Sequence, residues 1–236
     1  MNPRIGFTTG SLHRLKVSIS QKLRMISDLG CDTVELGFVK SKDFSRSYID
    51  EIKSEDLEDF NYVSLHAPVI YYGHNTGTRY VFDLIKRLDG VRPLDLVIFH
   101  PNTVLDFEVF SRVGFSVAFE NMDARNSSFK MPQEFEPILA RDEKFKLVLD
   151  VNHIFSNDAS MALAKEFYDR FRGKIVQIHL SGYQGFHDPL FKTKQSEIIR
   201  AIEDLSVPII IESILDPKEL SAEIEYAKQK IKELSK

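Results

Sequence analysis

Lys146-Leu147-Val148-Leu149-Asp150-Val151-Asn152-His153 carries the pattern on which the fold turns: a short apolar run followed at once by groups capable of chemistry. The run Lys146–Leu149 lacks strict polar alternation, which is how a parallel strand buried on both faces reads. Seven further runs share its character: Ile5–Thr8, Thr33–Leu36, Tyr62–Leu65, Leu96–Phe99, Ser116–Phe119, Ile175–Ile178 and Pro208–Ile211. Amphipathic stretches fill most of the gaps. Ser20–Gly30 places Leu23, Ile26 and Leu29 on one face and ends on a glycine cap. Thr78–Leu88, Ala159–Phe171, Ser196–Leu205 and Pro217–Leu234 continue the alternation, and the interval from Phe99 to Ser116 leaves room for only a short helix around Leu105–Val113. Strand–helix alternation repeated eight times, without a linker or low complexity, predicts a single (β/α)8 TIM barrel over residues 1–236. An open doubly wound sheet is the alternative. Such a sheet usually announces itself with a glycine-rich first turn, and Thr8-Thr9-Gly10-Ser11 does not match GxGxxG.

A chain of 236 residues suits one such barrel, for which roughly 250 residues is typical. Its 43% hydrophobic and 28% charged content is that of an ordinary globular protein. A formal charge of -4 gives no overall basic signature for nucleic acid, so only a local patch would serve such a partner. The one cysteine, Cys31, forms no internal disulfide, and the first ten residues lack the charged start and apolar run of a secretory signal. A cytoplasmic location is expected. No apolar stretch reaches the roughly 20 residues of a membrane helix. Oligomeric state leaves no trace in the sequence.

The informative residues sit where the strands end. Strand two ends near Glu35, strand three in Leu65-His66-Ala67-Pro68, and strand four in Phe99-His100-Pro101-Asn102. Strand five ends in Phe119-Glu120-Asn121, strand six in Asp150-Val151-Asn152-His153, strand seven in Gln177-Ile178-His179-Leu180 and strand eight in Ile211-Glu212-Ser213. Five of the seven histidines fall at a strand end or in the loop beyond it, counting His187. In a closed barrel those ends converge on one face, where active sites lie. Imidazole nitrogens and carboxylate oxygens brought together there are the ligands Zn²⁺ or Mn²⁺ takes. A cation also relieves the repulsion of carboxylates crowded into a poorly solvated pocket.

Each residue alone has a plainer reading. A strand-end histidine is more often a hydrogen-bonded packing residue than a ligand, and a carboxylate there often caps the next helix. Proline after a strand merely stops the ladder. Seven coincidences in register with one barrel face are harder to dismiss, and the set predicts a metal-dependent enzyme with a small-molecule substrate. Elsewhere, His13 and Arg14 read equally as mouth or surface residues, His74 as part of a solvated loop, and Cys31 as a small buried residue. Glu35 reads equally as a substrate contact or as the partner of a neighbouring strand-end cation.

The ordered motifs His-Ala-Pro, His-Pro, Glu-Asn, Asp-x-x-His, the strand-seven histidine and the strand-eight glutamate resemble the xylose isomerase-like TIM-barrel superfamily. Its AP endonuclease family 2 (endonuclease IV) and sugar isomerase/epimerase branches both match, from Ile5 to Glu212. The resemblance implies a shared metal site of Glu120, Asp150, His179 and Glu212. In the isomerase/epimerase branch it implies one ion at that site, Glu120 and Glu212 as the catalytic carboxylates that move a proton, and Glu35, His153 and Asn121 as substrate contacts. In the endonuclease branch it implies three zinc ions and hydrolysis of a phosphodiester. There His66 and His100 join Glu120 around a first ion, Glu120 bridges to a second, and His153 and His187 belong to a third. That third site departs from the family pattern: the residue two before His187 is Gly185 instead of aspartate, and Asp188 replaces it only if the loop is rearranged. The acidic chain, short loops and Glu35 favour the isomerase/epimerase branch, so an isomerase or epimerase of a small sugar or sugar-phosphate-like compound is the expected function, with one to three divalent ions per chain as the range. The extra histidines favour the alternative, the hydrolase, for which abasic-site DNA is the substrate.

Overall fold

The computed structural model describes residues 3–38 and 43–234. Eight strands, all parallel, close into a barrel in chain order. They are β1 (Ile5–Thr8), β2 (Thr33–Gly37), β3 (Tyr62–His66), β4 (Leu96–Phe99), β5 (Val117–Glu120), β6 (Lys146–Asp150), β7 (Ile175–Leu180) and β8 (Ile209–Ile211). The helices are α1 (Ile19–Ser27), α2 (Arg46–Glu51), α3 (Thr76–Asp89), α4 (Glu136–Leu139), α5 (Val151–Asn157), α6 (Ala162–Phe171), α7 (Leu190–Thr193), α8 (Ser196–Arg200) and α9 (Leu220–Leu234). The expected (β/α)8 TIM barrel is therefore the fold. No helix among the described residues is long and apolar enough to cross a membrane.

Alternation along each strand sorts the side chains into two layers. Tyr62, Leu96, Ile98, Ala118 and Val148 pack together inside the barrel. The intervening residues, such as Val63, Leu65, Val97, Phe99 and Phe119, join the larger core that the strands share with the helices. At Gly6 the chain of β1 lies so close to β2 that an added Cβ would sit 1.7 Å from the Thr33 carbonyl oxygen. Gly6→Ala should therefore lower stability by about 3 kcal/mol, read as a lower urea midpoint. Gly30, just past α1, adopts φ +68°, the left-handed conformation a helix-terminating glycine takes without strain.

Several strands run further than their apolar stretches. His66 pairs with Ile98, Glu120 with Val148, and Asp150 with His179, so these polar residues belong to the ladders themselves. After β4 the short helix expected near Leu105–Val113 is replaced by two 3-10 turns, Pro101–Thr103 and Phe107–Phe110. Phe110 explains this: its ring lies 4.7 Å from that of Phe99 and 5.4 Å from that of Phe119, which ties the segment down onto the strands. The helix expected from Ala159 starts at Ala162 instead, because Met161 is left-handed (φ 62°) and Asp158 caps the preceding turn. Helix α5 begins directly at the end of β6, with Asp150 as its N-cap.

Candidate metal centre

The strand ends bring the sequence-singled donors into three adjoining sets. These are His66, His100 and Glu120; Glu120, Asp150, His179 and Glu212; and Asp150, His153 and His187. Ligand atoms within each set lie within 4.8 Å of one another. Two carboxylates belong to two sets each, so Glu120 and Asp150 link the three. The two oxygens of Glu120 point in different directions. Its Oε2 is 3.2 Å from His66 Nε2 and 3.0 Å from His100 Nε2, and its Oε1 is 2.5 Å from His179 Nδ1. Asp150 divides its oxygens similarly. Oδ1 accepts from the backbone N–H groups of Asn152 and His153 at the start of α5. Oδ2 is buried without a hydrogen bond, although His153 Nε2 lies 3.3 Å away.

Backbone acceptors orient two of the rings. A carbonyl only accepts, so His66 donates from Nδ1 to the Ala67 carbonyl and His153 from Nδ1 to the Asn121 carbonyl. Each thereby turns Nε2 toward its set, the arrangement that outer hydrogen bonds give metal-binding histidines. His187 is held by its own loop: Nδ1 lies 2.9 Å from Ser181 Oγ, and its ring meets that of His153 at 5.4 Å. Asp188 does not replace the absent aspartate. Its Oδ2 accepts from the N–H groups of Gln184, Gly185 and Phe186 and so shapes the loop. Asp150 completes the third set instead.

Charge balance follows from this packing. Burial alone would raise the Glu120 carboxyl, but the His179 charge and hydrogen bonds from His100, His179 and His66 hold it well below the usual range. Burial would lower His66, and its bond to Glu120 and that charge raise it to about 9. His179 stands well above its ordinary value against the pull of burial, because Glu212, Glu35 and Glu120 surround it. Burial raises Glu212 to about 8, with His179 opposing and the other carboxylates adding. Burial, then the His153 charge, lowers His187 to about 3.

Above these groups opens a cavity of about 390 Å³. Thr8, His13, Asn102, Arg125, Asn126 and Phe186 are among its walls. Asn102 donates to Asn126 at 2.7 Å, and Arg125 lies over the Phe186 ring at 4.3 Å while paired with Asp123. His13 stands at this mouth, whereas His74 pairs with Asp106 at the surface and Cys31 is buried. Asn121, expected to touch substrate, is fully buried. Its amide exchanges two hydrogen bonds with the Asp150 backbone, so it braces β5 against β6. Glu35 is also buried, 3.0 Å from His179 Nε2, and borders the floor of the cavity. Sequence reading passed over Tyr62, Ser64 and Gln177, which form a polar cluster around Glu35 inside the barrel. Their signal was available: Tyr62 and Ser64 precede His66 by four and two residues, and Gln177 precedes His179 by two, so alternation puts them on the same face.

The residues present fit divalent ions. Imidazole and carboxylate donors converge, and the buried, unpartnered Asp150 Oδ2 faces the shared space.

No protein-family model and no curated protein matches the chain in sequence. Solved structures do match in shape. A D-tagatose 3-epimerase-like protein is 16% identical with a TM-score of 0.73, covering 98% of both chains. Endonuclease IV from Thermus thermophilus is 14% identical with a TM-score of 0.71, covering 98% of this chain and 100% of its own. An L-ribulose 3-epimerase is 12% identical with a TM-score of 0.68, covering 99% of this chain and 96% of its own. At this level of identity the likeness is one of fold, and the shared fold is the (β/α)8 barrel.

Proposed function

We propose that the protein is a divalent-metal-dependent phosphoester hydrolase acting on a small, sugar-sized substrate. The observation that carries this reading is the linked donor sets: Glu120 and Asp150 each serve two sets, as carboxylates do in the multinuclear centres of phosphatases and nucleases. His66 and His100 then have a purpose that a single ion at Glu120, Asp150, His179 and Glu212 would not give them. Ions bound there would supply polarisation of the phosphoryl group and acidification of water. The chain's own residues do the rest. With an ion in place of the proton, His66, His100, His153 and His187 would present lone pairs from rings fixed by hydrogen bonds or packing. Glu212, whose side chain is 14% exposed, stands beside His179 and His187 at the cavity wall, placed to accept a proton from an attacking water. The cavity volume suits a sugar phosphate, and the net acidic chain argues against an extended duplex.

A second reading, an isomerase or epimerase of a small sugar, rests on Glu212. A carboxylate at the edge of a sugar-sized cavity is also placed to move a proton on a carbon next to a carbonyl. One experiment separates the two. Protein purified without chelators is assayed for bound metal, then tried on small phosphate mono- and diesters, an abasic-site duplex, and ketoses in D₂O. The hydrolase reading expects two or more ions per chain and ester cleavage that EDTA abolishes and Zn²⁺ or Mn²⁺ restores. One ion per chain, with deuterium entering a ketose and no ester cleaved, decides for the epimerase. Cleavage of the duplex alone would move the substrate class to DNA.

A further inference from the structure

Beside His179, inside the barrel, lies a cluster that the proposed chemistry does not use: Glu35 on β2, which also borders the cavity, Tyr62 and Ser64 on β3, and Gln177 on β7. All four are buried. Glu35 Oε2 is 3.0 Å from His179 Nε2, 2.8 Å from Gln177 Nε2 and 3.3 Å from Ser64 Oγ. The other nitrogen of the His179 ring faces the donor sets, 2.5 Å from Glu120 and 3.4 Å from Glu212.

We infer that Glu35 is a positioning residue that sets the tautomer of His179, so that Nδ1 faces the metal donors with its lone pair free. The inference rests on the metal centre proposed above. A neutral imidazole has one N–H and one lone pair, and only the latter binds a cation. Two arrangements compete at His179. In the first, Nε2–H donates to Glu35 and Nδ1 is bare. In the second, Nδ1–H donates to Glu120 and Nε2 accepts from Gln177, whose Nε2 is also 2.8 Å away. The amide of Gln177 cannot turn to avoid this choice. The Tyr62 hydroxyl donates to Gln177 Oε1 at 3.0 Å, which fixes the NH₂ group on the side of Glu35 and His179. Gln177 thus offers a donor that would hold His179 in the wrong tautomer, and the Glu35 carboxylate, which only accepts, opposes it. Outer partners of this kind alter metal affinity by roughly 10–100-fold.

Glu35→Gln tests this, because an amide of the same shape adds a donor where the carboxylate accepts. Zn²⁺ affinity of wild type and variant is measured by competition with a chromogenic chelator. Imidazole ¹⁵N spectra of the Zn²⁺-loaded proteins report which ring nitrogen of His179 binds the ion, and melting temperatures of the metal-free proteins report folding. The variant is expected to fold, to bind Zn²⁺ about 10–100-fold more weakly, and to show less His179 with Zn²⁺ on Nδ1 and the proton on Nε2. The swap Glu35→Gln/Gln177→Glu restores a carboxylate within reach of His179 Nε2, which Tyr62 and the amide at position 35 can both satisfy. It should regain most of the lost affinity, a rescue that a purely structural role for Glu35 does not provide. Equal, tight Zn²⁺ binding by wild type and Glu35→Gln overturns the inference alone. A substrate-contact role for Glu35, with KM raised and Zn²⁺ affinity unchanged, overturns it too. A wild-type chain that binds no divalent ion removes the proposed centre and this inference with it.

Discussion

Glu120→Gln should cost both the metal centre and a large part of the fold's stability. Two of the three donor sets include Glu120, so ion content should fall to at most the one ion of Asp150, His153 and His187. Catalysis should fall by on the order of 10³-fold or more, the equivalent of about 4 kcal/mol of lost transition-state stabilisation. The metal-free protein should also weaken. Glu120 is 1% exposed and faces three imidazoles, and an amide can accept from one of them while presenting a donor to the others. Removing one partner from a buried charged cluster costs about 3 kcal/mol. The pH dependence has a definite sign. Glu120 is held below the carboxylate range, so its contribution is present above that range and lost on acidification. His66 is raised to about 9, so its contribution is complete below 6.5 and fades as pH rises through about 9. The gap between parent and variant, measured by urea unfolding in EDTA, should be widest near about pH 6 and narrow on either side. A variant that keeps two or more ions per chain would contradict the linked-set geometry.

The barrel was legible because a buried parallel strand needs only a handful of apolar residues, and eight such runs punctuate this chain. Its strand ends were less so. His66, Glu120 and Asp150 look like loop residues by polarity, yet the ladders continue through them because hydrogen bonding is a backbone property that polarity does not interrupt. Helix α5 was missed because it is a short segment capped by the same aspartate that completes two donor sets. The donor residues themselves were all readable from their order along the chain. Their grouping was not. Sequence spacing directs attention to Gly185 and Asp188 for the third set, whereas β6 brings Asp150 there from 37 residues before His187. The bracing role of Asn121 was hidden for a related reason: sequence order does not show that both ends of its amide meet the Asp150 backbone.

Asp150→Asn is the sharper counterpart of the Glu120 experiment, because it should separate metal binding from folding. The Asp150 carboxylate does two jobs with different oxygens. Its Oδ1 caps α5, and asparagine caps a helix about as well. Its Oδ2 is buried without a hydrogen bond and belongs to two donor sets, and in the variant an NH₂ group with no lone pair to offer can take its place. Burial raises the Asp150 carboxyl, His153 opposes, and the Glu120 charge adds to it, so in the metal-free chain this carboxylate is an electrostatic burden. A neutral amide removes it. The metal-free variant should therefore melt at the same temperature as wild type or higher. The contrast appears on adding Zn²⁺. At a free concentration near 100 times Kd, the wild type should gain about 2.7 kcal/mol of stability per ion and a correspondingly higher Tm. The variant should gain little, and its activity should fall by on the order of 10³-fold. If Asp150→Asn lowers the metal-free Tm by many degrees, the residue is chiefly a helix cap. If it retains the full Zn²⁺-dependent rise, the carboxylate does not hold the ions.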